Sequence, residues 1–386
     1  MAKFTDLDRL LQQFAGSTVP GCGCVVAQRG KILYEGYYGA ADLETGRPVT
    51  ADTVYRLYSM TKVIVCTAAM IQFERGKFLL NEPYYNYFPE YRNTQVAETL
   101  PNGAVNIRPA KSPMLVRDAF NMAVGLPYPS GDSVTEREMR RVREALAAKG
   151  KYTLQDDVRA MAEVPVRYDP GTQWSYGFGH EMVAALIEKT AGMTVGEFLR
   201  KELFEPLGME STGYRYFGDI EARMVKMYRP EEDGSFTVIP APGDENLLPG
   251  AVYEGGGAGL FSTARDYTKF AQMLANGGVT PEGRRIIGRK TIDLMRSNML
   301  SPAQLKDFAD SYNEGYGYGL GVRTMMNPAG VANLSAGEFG WTGMAGTWAS
   351  IDPSEGVSVI YLHQTVPNNE QYHHHRVRAV AYGCIE

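Results

Sequence analysis

The stretch Tyr58–Met70, "YSMTKVIVCTAAM", places a serine and a lysine three positions apart at the head of a run that is otherwise almost entirely apolar. From Ser59 to about Phe73 nearly every position is apolar, which predicts a helix buried at the protein centre and ended by Gly76. Residues at positions i and i+3 share one face of a helix, so Ser59 and Lys62 lie within reach of each other. The stretch therefore predicts both a central core helix and a candidate reactive pair.

The chemistry of such a pair follows from its surroundings. A lysine held among apolar groups loses hydration, which favours the neutral amine, and a neutral amine can take the proton of a neighbouring serine. A serine at the start of a helix also lies near backbone N–H groups and the positive end of the helix dipole, which favour a developing negative charge. Ser59 and Lys62 form the only S-x-x-K in the chain. The alternative interpretation is a helix cap followed by a lysine that reaches solvent.

Composition narrows the class of protein and of partner. The chain has 386 residues, 44% of them hydrophobic and 22% charged, which is typical of a soluble globular protein of one extended domain or two subdomains. Its net charge of -5 includes no long run of like charges, so we expect a small-molecule partner rather than a nucleic acid or a membrane surface. No signal peptide or long apolar span is evident, which predicts a cytoplasmic protein. Nothing in the sequence indicates an oligomeric state.

Cysteines and histidines do not indicate a metal site or a cofactor. The four cysteines stand in apolar surroundings and are expected to be reduced packing residues: Cys22, Cys24, Cys66 and Cys384. The run His373–His375 is expected to lie in solvent at the start of the last helix, and His180 is expected to be structural. The glycine-rich phrases "GGGAG" and "GYGYGLG" do not follow a strand-to-helix phosphate-loop pattern. We therefore predict no metal ion and no cofactor.

Strand patterns occur at both ends of the chain. After an amphipathic first helix, Gly23–Gln28 and Ile32–Tyr37 read as a hairpin that turns at "RG". Short strands return near the C-terminus in "GTWASID" and "GVSVIYLHQ", followed by a final helix from about Glu370 to Gly383. The middle of the chain is mostly helical, with one Pro- and Gly-rich stretch that we expect to border a cleft.

This order of elements predicts the architecture. Strands first, helices in the middle and strands last indicate an α/β protein of the α+β type, in which an antiparallel sheet is built from both chain ends. The predicted sheet domain comprises residues 1–80 and 310–386. Residues 81–309 form an inserted, mainly helical domain with loop-rich insertions. The active site is expected in the cleft between the two.

Two further motifs follow the S-x-x-K pair at informative positions. Tyr176, in "WSYGFGHEM", precedes an amphipathic helix and lies 117 residues after Ser59. Trp341-Thr342-Gly343, in "GEFGWTGMAGTWASIDP", precedes a strand of suitable composition. With phrases such as "VRDAFNMAVGLPY", this ordered set resembles the class C β-lactamase and penicillin-recognising serine hydrolases, and especially the family VIII carboxylesterases. The resemblance covers essentially the whole chain and implies the β-lactamase/transpeptidase-like fold.

The resemblance also implies catalytic roles. Ser59 would attack the carbonyl of a substrate, and Lys62 and Tyr176 would jointly take and return its proton. The backbone N–H groups of Ser59 and Met344 would form the oxyanion hole. The literal Y-x-N matches at Tyr84 and Tyr91 follow the serine helix almost directly and are expected to be packing residues.

Departures from the family pattern indicate the substrate. Phe178 stands where Y-x-N has its asparagine, and Trp341 stands where a lactamase has the lysine that receives a substrate carboxylate. Phe178, Trp341, Thr342 and Gly343 are the predicted substrate-binding residues. An aromatic surface in place of a cation favours neutral acyl groups, so we predict a serine carboxylesterase for short- to medium-chain esters, acting through an acyl-serine.

Several alternatives remain. An α/β-hydrolase would need G-x-S-x-G, which the chain lacks; the segment around Ser335 is its nearest imitation. On the resembling fold, the other candidates are a β-lactamase, a D-amino-acid peptidase or amide hydrolase, an acyltransferase and a non-catalytic penicillin-binding-like protein.

Overall fold

The structure is a computed structural model that describes residues 4–100, 102–309 and 314–385. Its strands are β1 (Gly21–Gln28), β2 (Lys31–Asp42), β3 (Arg47–Pro48), β4 (Tyr55–Arg56), β5 (Gln95–Thr99), β6 (Val105–Pro109), β7 (Tyr228–Pro230), β8 (Phe236–Val238), β9 (Phe261–Ser262), β10 (Tyr316–Tyr318), β11 (Arg323–Met325), β12 (Phe339–Thr342), β13 (Trp348–Asp352) and β14 (Val357–Leu362). Its α-helices are α1 (Thr5–Phe14), α2 (Thr61–Glu74), α3 (Val116–Phe120), α4 (Val134–Ala147), α5 (Leu154–Met161), α6 (Gly179–Ala191), α7 (Val195–Leu199), α8 (Glu205–Leu207), α9 (Ile220–Arg223), α10 (Ala264–Ala275), α11 (Arg289–Met295), α12 (Pro302–Phe308) and α13 (Glu370–Gly383).

A large antiparallel sheet joins the two ends of the chain. Within the described residues it has eight strands in the order β10-β11-β12-β13-β14-β1-β2-β3. The pairing of β1 with β14 sets Val25 opposite Ile360. The β1–β2 hairpin turns at Arg29 and Gly30, whose φ angles of 50° and 80° suit a type I′ turn. The predicted fold, with an antiparallel sheet built from both chain ends, is confirmed.

Helices cover both faces of this sheet. Helix α10 packs against β1, β13 and β14, and its Gln272 donates a hydrogen bond to the carbonyl oxygen of Ala27 (3.0 Å). Helices α1 and α13 pack against the sheet as well, and the thiol of Cys22 reaches the carbonyl oxygen of Leu11 in α1 (3.8 Å). Successive residues of a strand point to opposite faces, so this double cover explains why β1 is buried along nearly its whole length.

Helix α2 lies at the centre of the protein, as its apolar sequence predicts. Every residue from Thr61 to Gln72 is buried, and the helix contacts both α6 and β12. A 3₁₀ turn, Tyr58–Met60, precedes it, so Ser59 lies just before the α-helix proper. Gly76 follows the last turn with φ of 66°, a backbone angle that few other residues adopt without strain.

The middle of the chain contains helices and small hairpins. One hairpin, β5–β6, lies in a region for which the sequence pattern did not predict strands. In β6, Val105 and Ile107 alternate with polar residues over only a few positions and are exposed, and in β5 the two buried residues, Val96 and Ala97, are adjacent, so neither strand shows a sustained alternating pattern. The division into residues 1–80 with 310–386 and residues 81–309 stays a prediction, and its boundary at residue 310 lies outside the described residues.

Two of the three histidines at the start of α13, His373 and His374, are buried, and the expected solvated position is wrong for them. His373 and His374 are at most 1% exposed, because this face of the helix packs against the sheet. The His373 ring stacks on Phe14, with centroids 4.3 Å apart, and its Nδ1 lies 3.0 Å from the Tyr361 hydroxyl. Its Nε2 has no hydrogen-bond partner among the described residues. Burial, together with the nearby positive charge of Arg376, lowers the pKa of His373 to about 4.

Neither a membrane-spanning helix nor a metal-binding cluster occurs in the part of the chain that the structure describes. It contains no helix that is both long and apolar enough to cross a bilayer. Within the same residues, no group of three or more His, Cys, Asp or Glu side chains could hold a metal ion.

Replacing His373 with glutamine should make the fold less sensitive to acid. Folded His373 stays neutral down to its pKa of about 4, whereas an unfolded histidine binds a proton below about 6.5. Between these values the unfolded state binds more protons, so the free energy of unfolding falls as the pH drops. Urea unfolding at pH 6.5 and at pH 5 measures how much the free energy of unfolding falls between the two. We expect this fall to be smaller for His373→Gln than for the wild type by roughly 1 to 2 kcal/mol.

The half-buried His375 supplies the control, since His375→Gln should change the pH dependence less. Equal losses of stability in His373→Gln and the wild type would contradict the prediction.

Candidate active site

The structure brings the serine and the lysine of the S-x-x-K motif together. Lys62 has no exposed surface, and its Nζ lies 3.1 Å from Ser59 Oγ. The same nitrogen donates to Tyr128 Oη (3.1 Å) and to the carbonyl oxygen of Gly257 (2.6 Å). An ammonium group has three donors, so each one has an acceptor and the buried charge is compensated. Ser59 is partly exposed, which leaves its hydroxyl open to a substrate.

The turn before the serine has an unusual backbone conformation. Tyr58 has φ of 45°, in the left-handed region that aromatic residues rarely adopt. Such a conformation costs about 1 to 3 kcal/mol and persists only where its surroundings hold it. The carbonyl oxygen of Leu57 accepts from the Met60 N–H (3.1 Å) and from Thr347 Oγ1 (3.0 Å), which fixes the turn from two sides. Ser59 is thereby held at the N-terminal end of α2, where the helix dipole favours negative charge.

Two tyrosines flank the lysine from loops that backbone hydrogen bonds join. The Tyr128 N–H donates to the carbonyl oxygen of Tyr176 (3.3 Å), and the Phe178 N–H donates to that of Leu126 (2.9 Å). A Cβ at Gly177 would lie 2.1 Å from the Leu126 oxygen, so the close approach of the loops requires glycine there. The rings of Tyr128 and Tyr176 meet edge to face, with centroids 5.4 Å apart.

Tyr176, the predicted partner of the pair, contacts the lysine through its ring. Lys62 Nζ lies 4.7 Å from the ring centroid, a cation–π distance. The Tyr176 hydroxyl accepts a hydrogen bond from Trp341 Nε1 (3.1 Å), and the two rings stack with centroids 5.6 Å apart. Among the described residues this hydroxyl forms no hydrogen bond with Ser59 or Lys62. Trp341 therefore orients the phenol beside the reactive pair.

Tyr128 belongs to the cluster although the sequence reasoning assigned it no role. It closes the phrase "VRDAFNMAVGLPY", but no motif spacing singles it out. Burial raises its pKa well above the usual tyrosine value, and the nearby charge of Glu181 raises it further. Tyr128 is therefore a neutral phenol that holds the lysine in place.

The third motif lies at a local edge of the sheet. Trp341 and Thr342 pair with β13 but not with β11, so this end of β12 faces the reactive pair. A Cβ at Gly343 would lie 2.4 Å from the carbonyl oxygen of Leu57, so the motif packs directly against the serine turn. The Thr342 hydroxyl donates to a carboxylate oxygen of Glu370 (2.8 Å). Trp341 is only 7% exposed, and it contacts Tyr176 through both its ring and its indole N–H.

Two of the predicted site residues, Met344 and Phe178, differ in their exposure. Met344 follows the third motif with a half-exposed side chain, and its N–H forms no hydrogen bond within the described part of the chain. That N–H is thus available as a donor. Phe178, predicted to bind substrate, has no exposed surface, and the Arg143 guanidinium lies 5.3 Å from its ring centroid. Phe178 packs inside the protein because it stands at the start of α6 with its ring toward the core.

A cavity of about 740 Å³ lies beside the cluster. Tyr58 and Tyr128 form part of its wall, which links it to the serine turn and to the lysine. Residues 242–249 and 251–253 form another part, as expected for the Pro- and Gly-rich stretch. The His180 side chain does not contribute: it is fully buried, and its Nε2 lies 2.9 Å from the carbonyl oxygen of Phe120.

Comparison with known proteins adds independent information. Residues 7–382 match the family described as Beta-lactamase. Protein Rv1367c of Mycobacterium tuberculosis is 28% identical over 354 residues, covering 90% of this chain and 86% of that protein. Esterase EstB of Burkholderia gladioli is 26% identical over 363 residues, covering 89% of this chain and 86% of that protein. The solved structure of EstCE1, a hydrolase with promiscuous acyltransferase activity, has a TM-score of 0.81 at 21% identity and shares the fold, with 98% of each chain covered.

Replacing Tyr128 with phenylalanine should slow the reaction of Ser59 with a fluorophosphonate. The change removes one of the acceptors that orient Lys62, and a hydrogen bond to a charged group contributes about 1.5 to 3 kcal/mol. Labelling followed by mass spectrometry should therefore slow by roughly tenfold to a hundredfold.

Tyr253→Phe is the matched control. Its hydroxyl lies in the same cavity but donates to Asp157 (2.8 Å) rather than contacting the lysine, so labelling should proceed near the wild-type rate. A Tyr128→Phe variant that labels as fast as the wild type would show that this phenol does not support the reactive pair.

Proposed function

The chain belongs to the Beta-lactamase family, and from this premise we propose that it is a serine carboxylesterase for short- to medium-chain neutral esters. The observation that carries the proposal is the buried Lys62 Nζ at 3.1 Å from the partly exposed Ser59 Oγ. A hydroxyl becomes a useful nucleophile when a base lies within hydrogen-bond reach. The relationship to Esterase EstB supports hydrolysis of an ester as the reaction.

The proposed reaction proceeds through an acyl-serine. The reaction starts once the Lys62 ammonium has released one proton to solvent: Ser59 Oγ attacks the ester carbonyl while its own proton passes to the resulting amine, with Tyr176 sharing the transfer. The N–H groups of Ser59 and Met344 stabilise the oxyanion of the tetrahedral intermediate. When the intermediate collapses, the alcohol leaves with the proton that the serine lost. Water then attacks the acyl-serine, its proton returns through the same groups, and the acid is released.

The aromatic wall around the pair supports neutral substrates. Trp341 stands where a cation would receive the carboxylate of a β-lactam or a D-alanyl peptide, and its indole nitrogen is already bonded to Tyr176. Losing a charge-assisted contact costs about 1.5 to 3 kcal/mol of binding, at least about tenfold in affinity. Tyr176 also stacks with Trp174 (centroids 6.3 Å apart), which extends the apolar surface that an acyl or alkyl group can cover.

Acyl transfer is the second candidate function. The described activity of EstCE1, hydrolysis with promiscuous acyltransferase activity, favours it. The chemistry needs only that an alcohol or amine attack the acyl-serine in place of water. Whether hydrolysis or transfer dominates depends on which nucleophile occupies the cavity at that step.

The proposed function predicts hydrolysis of p-nitrophenyl butyrate with Ser59 as the acylated residue. Ser59→Ala should abolish both turnover and labelling by a fluorophosphonate. Ser335→Ala is the matched control, because Ser335 is also partly exposed but lies in the segment nearest to a G-x-S-x-G, and it should leave both unchanged. Nitrocefin and a D-alanyl peptide should react with kcat/KM at least about tenfold lower.

Label on Ser335, or an undiminished rate in Ser59→Ala, would reject the assignment of the nucleophile. Faster hydrolysis of nitrocefin or of the peptide than of the ester would reject the substrate class. Added methanol or another small alcohol, with product analysis by chromatography, distinguishes hydrolysis from transfer.

A further inference from the structure

A carboxyl group lies in the cavity with one oxygen lacking a partner. Glu181, on the first turn of α6, is 6% exposed and lines the cavity. Its Oε2 has no hydrogen-bond partner among the described residues. Buried polar groups normally have partners, and one without a partner next to an open space indicates a place for a ligand donor.

The carboxyl group is close to the reactive pair. Gly257, whose carbonyl oxygen accepts from Lys62 Nζ (2.6 Å), lies between them. A Cβ at Gly257 would be 2.4 Å from Glu181 Oε1 and within contact of the Tyr128 hydroxyl. Because Gly257 has no side chain, the Glu181 carboxyl group, the Tyr128 hydroxyl and the Lys62 amino group can all lie close to it. A molecule bound at Glu181 is therefore near enough to Ser59 to be part of its substrate.

The positively charged side chains that line the cavity have hydrogen-bonding partners other than Glu181. Arg143 pairs with Asp157 (3.1 Å) and Arg56 with Asp244 (2.5 Å). Lys151 donates to the carbonyl oxygen of Gly250 (2.9 Å).

We propose that Glu181 determines substrate specificity by accepting a hydrogen bond from a hydroxyl group of the ester. This inference rests on the proposed esterase function and refines its substrate class to esters that carry a hydroxyl. A hydroxyl fits better than an ammonium group because Glu181 and Asp157 already balance the positive charges of Lys62 and Arg143, and a further cation would leave an excess positive charge. The same two charges oppose burial, which raises the pKa of Glu181.

The hydroxyl could belong to either half of the ester, and two arms of one experiment separate these sources. The acyl arm compares ω-hydroxy methyl esters, from propanoate to hexanoate, with the plain methyl esters. The alcohol arm compares ω-hydroxyalkyl acetates with the plain alkyl acetates of the same lengths. We expect the wild type to favour the hydroxylated member in one arm by about tenfold in kcat/KM, the effect of a hydrogen bond to a charged group.

Glu181→Leu should bring this ratio close to one. The ratio is the informative quantity because any general damage to the site lowers both rates together. Glu181→Gln keeps the shape of the side chain, so it tests the same idea should the leucine variant not fold; its weaker, neutral acceptor should lower the ratio severalfold. Glu245→Gln, which removes an exposed carboxylate lining the same cavity, is the control and should keep the wild-type ratio.

Two outcomes would overturn the inference. They are a wild-type ratio near one in both arms and a ratio that persists in both Glu181 variants. A persistent ratio with an equal fall in both rates would place Glu181 behind Lys62 as a positioning residue rather than in contact with substrate.

A binding measurement separates this inference from the proposed function. In Ser59→Ala, titration calorimetry with each pair of esters compares their affinities without turnover. Tighter binding of the hydroxylated ester, lost in Ser59→Ala/Glu181→Leu, would support the role of Glu181 even if the wild type hydrolysed no ester. Equal affinities there would reject it even if the wild type were an active esterase.

Discussion

The structure of the site depends on how the protein compensates one buried ammonium group. Lys62 lies in a helix that is buried from Thr61 to Gln72, and its three donors meet a serine, a tyrosine and a backbone carbonyl from three separate segments. Leaving such a charge unpaired in the interior would cost several kcal/mol, so the three segments must come together. The lysine is thus both a reactive group and the point at which α2, the Tyr128 loop and the Gly257 segment join.

The sheet completes this arrangement from the other side. Local pairing of β12 with β13 alone leaves Trp341 at an edge, where its indole nitrogen orients the Tyr176 hydroxyl. Because Gly343 has no side chain, the segment that follows Trp341 can pack against the carbonyl oxygen of Leu57. The sheet thus adds Trp341 to an aromatic wall that Tyr176 and Trp174 continue from the loop before α6, whereas the lysine comes from α2 and the serine from the turn before it.

How much the sequence predicts depends on whether a property is local. The run of apolar residues located the central helix, the S-x-x-K spacing predicted the Ser59–Lys62 contact, and the family resemblance implied that Tyr176 lies beside them. Tyr128 and Glu181 were missed because their roles arise from loops and helices that approach only in the folded chain. Phe178 stands at a motif position, but the direction of its ring depends on where α6 starts and on the Arg143 guanidinium that packs against it, and neither is visible in the sequence. His373 was expected in solvent because sequence alone does not show which face of α13 covers the sheet.

The pairing of β1 with β14 has a consequence for the order of folding on the ribosome. The serine helix is made well before β14, the strand that completes the sheet beside β1, because β14 begins only at Val357. Until it emerges, β1 presents an open strand edge, the kind of surface that recruits other chains. Contacts between such distant parts of a chain form slowly because a long loop must close first. The nascent protein thus carries its nucleophile before the scaffold around it is complete.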